Sequence, residues 1–387
     1  MGQFSKNEMK WSLPIIWACV VMLLGAGLLM ICSLSYAGSL STPAPGIPSH
    51  LALRHATAIA IGLLVLLLMA RLDYRRLRPL APLAAIFTLC LLMLVLVPGF
   101  SLKVNGVRCL LPFGPLRFRP SDLAGAAMVL FLATVLVRDG GSRRVLIALG
   151  SVAITTSLIF MQPSFSPAIT LALTALVVLL LAGQRRSWVL MAYGLGVSGF
   201  ALLVLHNPIR LRRILAFFSG DSSHAASYWI PLEAIKSGGW LGLGLGQSTD
   251  LQAYFPDASN GFMAALIGAE LGWIALAVIT LSFILLVGAG FVISHRAPER
   301  FGRLLGFGIC ALIAVQAIVH FAVVFHWLSI HGVALPFVSY GGLGLVVMLG
   351  LVGILLNIAR STAAAAAIQE DPLQHKTIRS AAAVVMS

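Results

Sequence analysis

The residues best suited to bind a ligand in this sequence are cations in two of the connections between its apolar segments. Residues 99–120 contain Lys103, Arg108, Arg117 and Arg119, residues 207–261 contain Arg210, Arg212, Arg213 and Lys236, and Arg54 lies apart from both groups. Because a guanidinium group pairs bidentately with phosphate oxygens, these clusters favour an anionic ligand that carries phosphate. The alternative is that each long side chain simply extends to the lipid headgroups.

Composition indicates that the elements carrying these cations belong to a membrane protein. Of the 387 residues, 59% are apolar and 10% are charged, whereas a soluble domain has about 25% charged residues. Five cysteines are too few and too scattered for a disulfide framework. No spacing of histidines or cysteines indicates a metal site, and we predict no cofactor.

The apolar segments predict an all-α, polytopic membrane protein, since about 20 apolar residues suffice for a helix to span a bilayer. We predict ten spans, at residues 11–37, 51–70, 80–98, 121–138, 145–162, 166–183, 188–206, 262–293, 304–326 and 337–358. One large extracytoplasmic loop, 207–261, joins spans seven and eight. Residues 1–10 and 361–387 are then the cytoplasmic N-terminus and C-terminal tail of a membrane domain at 11–360.

Charge predicts the orientation of these spans. Basic residues precede span one and follow spans two, four, six, eight and ten, which all lie on one side under the ten-span count. The positive-inside rule makes that side cytoplasmic and places both termini there. Most of the net charge of +14 therefore reflects topology, and no nucleic-acid partner is predicted. The two cation clusters lie on the outer side against this rule, where a lipid-linked pyrophosphate would suit them.

Two outer segments are interrupted by glycine or proline. Residues 229–248 predict a short interfacial helix followed by a glycine turn, with glycines that allow the backbone to approach a span or a ligand closely. At the start of span ten, Pro336 and the sequence SYGG at 339–342 break the helix. This break either lines a cavity or is a packing kink in which Ser339 bonds to its own backbone.

Four stretches together resemble one known family. They are NGVRCLLPFGPLRFRPSDLA (105–124), LEAIKSGGWLGLGLGQS (232–248), GVALPFVSYGG (332–342) and LLNIAR (355–360). In this order they are similar to the SEDS family (shape, elongation, division and sporulation), represented by FtsW and RodA, and LEAIKSGGW and PDAS favour the FtsW branch.

The resemblance implies a peptidoglycan glycosyltransferase of the bacterial cytoplasmic membrane that polymerises lipid II at the outer leaflet. It also implies a class B penicillin-binding transpeptidase and other divisome membrane proteins as partners. Outer cations would stabilise the departing lipid pyrophosphate. The substrate-binding residues that we predict are Arg54, Arg108, Arg117, Arg212, Lys236, Ser339 and Tyr340.

The chain departs from this family where the resemblance implies acids. Gly261 aligns with the aspartate that is the family's proposed general base, and Ser164 aligns with a second acid. Asp257 is the carboxylate nearest in sequence to Gly261 and is the predicted substitute base, although an acid near a helix N-terminus also stabilises the helix dipole. Glu270 is expected inside span eight, in a buried polar contact.

Three hypotheses therefore follow from the sequence. The chain is an active glycosyltransferase whose base has moved, a homologue without catalysis that acts as a divisome scaffold, or a transporter of lipid II. Family resemblance favours the first hypothesis, and the absence of acids at Gly261 and Ser164 favours the second.

Overall fold

The structure is a computed structural model that describes residues 2–41, 47–97, 101–104, 107–113, 116–137, 141–162, 165–206, 222–248, 261–328 and 333–370. Most of these residues are helical. The helices are α1 (Gly2–Ser41), α2 (Ile47–Arg71), α3 (Leu77–Leu96), α4 (Pro120–Val135), α5 (Ser142–Met161), α6 (Phe165–Leu181), α7 (Arg186–Leu205), α8 (Ser222–Gly238), α9 (Met263–Arg296), α10 (Arg300–Val324) and α11 (Leu343–Glu370). A 3-10 helix, Tyr74–Arg76, joins α2 to α3.

The helices have the length and apolarity of an integral membrane protein. Within the described residues, seven helical segments are long and apolar enough to cross a membrane, and α4 and α6 are shorter apolar helices. A polytopic and predominantly helical membrane protein is thus confirmed. Each predicted span overlaps one helix of α1–α7 or α9–α11, whereas α8 lies in the long predicted outer connection.

Small residues bring α1 close to the turn that precedes α11, and α11 close to α2. A Cβ on Gly27 of α1 would lie 2.7 Å from the carbonyl oxygen of Val338. A Cβ on Gly353 of α11 would likewise overlap the carbonyl oxygen of Leu66 in α2. Helices in membranes associate through van der Waals packing, so such contacts stabilise the bundle.

The described residues between 101 and 118 form a small sheet that was not predicted. Strands β1 (Leu102–Val104), β2 (Val107–Phe113) and β3 (Leu116–Phe118) pair in an antiparallel manner, in the order β1-β2-β3. Leu111 of β2 is buried and packs with Leu91 and Val95 of α3. The all-α class therefore holds for the bundle, whereas this connection uses strand pairing to satisfy its backbone polar groups.

Three long helices differ from their predictions, and the first, α1, runs from Gly2 to Ser41 rather than from 11 to 37. The last begins at Leu343 rather than at 337, because Phe337 has a positive φ of 65° and follows a proline that lacks an N–H. It also continues beyond residue 360, to Glu370. Helix α9 contains an unpredicted break at Gly272, which has φ 79° and ψ −177°.

Candidate functional site

Several predicted site residues lie wholly or partly outside the described residues. Asp257 and Arg212 lie outside them, as does Ser164. The backbones of Arg108 and Arg117 lie in β2 and β3, opposite Lys103 and Pro112 respectively. Their side chains lie outside the described part of the chain, so their contact with a ligand stays a prediction.

Tyr340 lies beside a histidine that was not predicted, and Arg54 directly precedes that histidine in α2. Arg54 is exposed in the second turn of α2, and the next residue, His55, is 0% exposed. The ring centroid of His55 lies 6.0 Å from that of the partly buried Tyr340. Within the described residues neither ring nitrogen of His55 has a hydrogen-bond partner. Since an unpaired buried polar group costs about 1–3 kcal/mol, we include His55 in the candidate site.

Ser339 stabilises the turn that precedes α11. Its hydroxyl accepts a hydrogen bond from the backbone N–H of Leu335 at 2.7 Å, and its own N–H donates to the Leu335 carbonyl at 3.0 Å. The side chain is 4% exposed. Of the two alternatives for this break, the geometry agrees with a kink closed by Ser339, while a substrate contact for Ser339 stays a prediction.

Lys236 occupies an open position close to the glycine turn. It is exposed in the last turn of α8, and Glu233 is exposed one turn earlier. An exposed cation at this position is accessible to a ligand, which agrees with its predicted role.

Gly261 is buried immediately before α9, and a histidine occupies the adjacent helix end. Helix α9 begins at Met263 and has no side-chain cap at Phe262. The backbone N–H of Ala264 donates to His320 Nε2 at 3.2 Å, and His320 Nδ1 lies 2.7 Å from the Val333 carbonyl oxygen. These partners place the ring proton on Nδ1, so His320 of α10 acts as a neutral acceptor that satisfies one free N–H of α9.

Glu270 is the centre of a buried polar network, as predicted. It is 1% exposed, and its two carboxylate oxygens accept hydrogen bonds of 2.5 Å from the hydroxyls of Ser33 and Ser248. The Ser33 hydroxyl also accepts from the N–H of Gly246 at 2.8 Å. Glu270 thereby connects α1, the glycine turn and α9.

The break in α9 exchanges backbone hydrogen bonds with the glycine turn. The carbonyls of Ala269 and Glu270, freed by the break, accept from the N–H groups of Leu243 at 2.9 Å and Gly244 at 3.1 Å. In return, the N–H of Trp273 donates to the Gly239 carbonyl at 3.0 Å. The residues that follow α8 therefore supply backbone hydrogen-bond partners to α9 on both sides of its break.

Glycine is required at both sides of this insertion. Gly242 has φ 83°, and a Cβ there would overlap the carbonyl of Glu270. A Cβ on Gly272, with φ 79°, would overlap the carbonyl of Trp240. The prediction that glycines of the 229–248 segment allow close backbone approach is confirmed at Gly242, whose partner is the span α9, whereas the part played by Gly272 was not predicted.

Among the described outer residues, few acids remain that could accept a proton. Asp122 lies in the first turn of α4, where its Oδ2 would be 2.9 Å from a Cβ on Gly344 of α11. Glu270 already accepts bonds on both oxygens. In the part of the chain that the structure describes, no three His, Cys, Asp or Glu side chains gather where they could hold a metal ion.

Comparison with known sequences shows the relatives of this chain. The sequence pattern of a family of cell cycle proteins, FtsW, RodA and SpoVE, matches residues 14–364. The chain belongs to this family. A probable peptidoglycan glycosyltransferase FtsW of Trichlorobacter lovleyi is 34% identical over 307 residues, which cover 77% of this chain and 81% of the relative. Stage V sporulation protein E of Bacillus subtilis is 33% identical over 308 residues, which cover 78% of this chain and 84% of the relative.

Solved structures share the fold of this family member. A chain from a peptidoglycan synthase complex has a TM-score of 0.72 and 23% identity, covering 89% of this chain and 98% of its own. The rod shape determining protein RodA of Thermus thermophilus has a TM-score of 0.65 and 24% identity, covering 90% of this chain and 96% of its own. The SEDS resemblance predicted from the motifs is thus confirmed, and the architecture agrees with it.

Proposed function

We propose that this protein is an FtsW-branch peptidoglycan glycosyltransferase that polymerises lipid II for septal cell-wall synthesis. It crosses the bacterial cytoplasmic membrane ten times, with both termini in the cytoplasm and the 207–261 loop outside. A class B penicillin-binding transpeptidase and other divisome membrane proteins are its partners. The observation that carries this proposal is the family match over residues 14–364, together with relatives named peptidoglycan glycosyltransferase FtsW. The resemblance to a chain of a peptidoglycan synthase complex supports the partner.

The reaction that we propose joins two lipid-linked sugars. A hydroxyl of the acceptor sugar attacks the anomeric carbon of the donor, the new glycosidic bond forms, and the bond to the donor phosphate breaks. The proton passes to Asp257 as general base, and the electron pair leaves with the lipid pyrophosphate. Arg54, Arg108, Arg117, Arg212 and Lys236 stabilise this charge as it develops. The exposure of Arg54 and Lys236 supports their part in binding.

A second function, a divisome scaffold that binds lipid II without polymerising it, is favoured by one specific observation. Gly261 is buried at the start of α9, and the adjacent N–H of Ala264 is held by His320. Glycine cannot accept a proton, and the buried acid on the same helix, Glu270, is occupied by two hydroxyls.

Polymerisation of labelled lipid II by the purified protein with its transpeptidase separates the two functions. We expect glycan product from the natural protein and its loss in Asp257→Asn. Glu233→Gln is the matched control, because Glu233 is an exposed acid on α8, and it should retain product.

The other outcomes are equally informative. Lipid II binding without product, in the presence of the partner, supports the scaffold, and Gly261→Asp should then produce glycan. If the natural protein neither binds lipid II nor polymerises it, both functions are contradicted.

A further inference from the structure

A cleft at the predicted cytoplasmic end of the bundle combines basic groups with an apolar wall. It has a volume of about 390 Å³ and lies between the end of α6, the end of α9 and the start of α10. Its basic residues are His295, Arg300 and Arg303, and its apolar residues include Leu181, Leu304 and Phe307. We propose that this cleft binds the phosphate headgroup and upper acyl chain of an anionic phospholipid in the inner leaflet.

The arrangement along α10 matches the anatomy of a lipid. Arg300, Arg303, Leu304 and Phe307 follow the i, i+3, i+4, i+7 spacing that places residues on one face of a helix. The two arginines lie in the first turn, and at 1.5 Å per residue Phe307 lies about 10 Å along the axis from Arg300 and about 6 Å from Arg303. A phosphate at the arginines would therefore leave its acyl chain beside Phe307.

Among the residues that the structure describes, the lining of the cleft contains basic and apolar side chains and no aspartate or glutamate. The nearest acid in sequence is Glu299, directly before α10, and its carboxylate forms an ion pair of 2.9 Å with Arg75. No side chain caps the start of α10, so its free N–H groups add positive potential at the same place.

Contacts within the protein hold both ends of this cleft in position. The guanidinium of Arg300 donates to the Ala182 carbonyl at 3.5 Å, which links α10 to the turn after α6. The ring of Phe307 packs on Phe291 of α9, with centroids 4.6 Å apart. Leu181 is 41% exposed, so the apolar wall remains open to the surroundings. Basic pockets between helices at this membrane face are typical sites for anionic lipids.

Photolabelling of the full chain in nanodiscs tests the proposal. The probe is phosphatidylglycerol with a diazirine near the top of one acyl chain, and peptide mass spectrometry maps the adducts. We expect adducts on the segment containing Leu304 and Phe307. Phosphatidylglycerol or cardiolipin should compete, whereas phosphatidylethanolamine and inorganic phosphate should not.

Matched variants distinguish this site from general surface charge. Arg300→Gln with Arg303→Gln should reduce labelling about 25-fold, at roughly fivefold for each cation. Arg71→Gln with Arg76→Gln removes the same charge from exposed positions outside the cleft and should leave labelling unchanged. Arg300→Lys with Arg303→Lys should restore most of it, which excludes misfolding as the cause.

Two results would overturn the proposal. Equal labelling in the glutamine variants and the natural protein would show that the arginines bind no lipid. Competition by inorganic phosphate as strong as that by phosphatidylglycerol would show that the site takes a free anion. The proposal does not depend on the proposed glycosyltransferase function, since labelling is measured without lipid II.

Discussion

Replacing Glu270 by alanine should destabilise the outer half of the bundle strongly. The change removes the shared acceptor of Ser33 and Ser248, whose hydroxyls lie 2.5 Å from its carboxylate oxygens. Hydrogen bonds to charged groups contribute about 1.5–3 kcal/mol each in soluble proteins, but interhelical bonds in a membrane average about 0.6 kcal/mol. For the two bonds together we expect the free energy of unfolding to fall by about 3 kcal/mol. Glu270→Gln, which keeps the shape and one acceptor oxygen, should lose about half as much.

Thermal unfolding of the purified protein in one fixed detergent measures this loss. Glu270→Ala should lower the midpoint by roughly 3–5 °C, and Glu233→Ala, which removes an exposed acid, should change it little. Ser248→Ala should cost stability in the natural protein and almost none in Glu270→Ala, because its partner is already gone. Equal costs of Ser248→Ala in both backgrounds would refute the role of Glu270 as the shared acceptor.

Three further changes test other parts of the site. Gly242→Ala should destabilise the protein by more than about 2 kcal/mol, because the residue has a positive φ and its Cβ would overlap the Glu270 carbonyl. The control is Gly25→Ala in α1, whose Cβ would meet no atom within 4 Å and which should therefore not destabilise the protein. His320→Leu leaves the Ala264 N–H unpaired and should cost about 1–3 kcal/mol, with His320→Gln less harmful; equal unfolding midpoints would contradict this. Arg54→Gln should weaken lipid II binding severalfold in a titration at low salt, and an unchanged affinity would remove it from the site.

Hydropathy and charge predicted the membrane architecture because apolar length is a local signal. Helices such as α9 and α10 are apolar over more residues than a bilayer requires, so their existence could be read directly from the sequence. The buried position of Glu270 was also predictable, since an acid within such a segment needs a partner. Its particular partners, Ser33 and Ser248, were not, because they depend on how distant segments pack.

Other features depend on backbone contacts that leave little trace in local sequence. The break at Gly272 exists because residues 239–244 replace its lost hydrogen bonds. The pairing of His320 with Ala264 spans 56 residues and has no periodic pattern. The strands at 102–118 are short, so they carry no long alternating pattern that would predict their pairing from the sequence. Of the candidate site, the sequence predicted the charged residues, while the structure added His55 and the neutral acceptor His320.

The most direct test of whether the outer cations bind the diphosphate is the lipid II affinity of a variant that lacks three of them. The variant combines Arg108→Gln, Arg212→Gln and Lys236→Gln, and its control combines Arg71→Gln, Arg76→Gln and Arg143→Gln on the predicted cytoplasmic side. We expect the first variant to lose at least about tenfold in affinity, since charge-assisted bonds to phosphate are strong, and the control to bind normally. Equal affinity in both variants and the natural protein would contradict the proposal that the outer cations bind the lipid diphosphate.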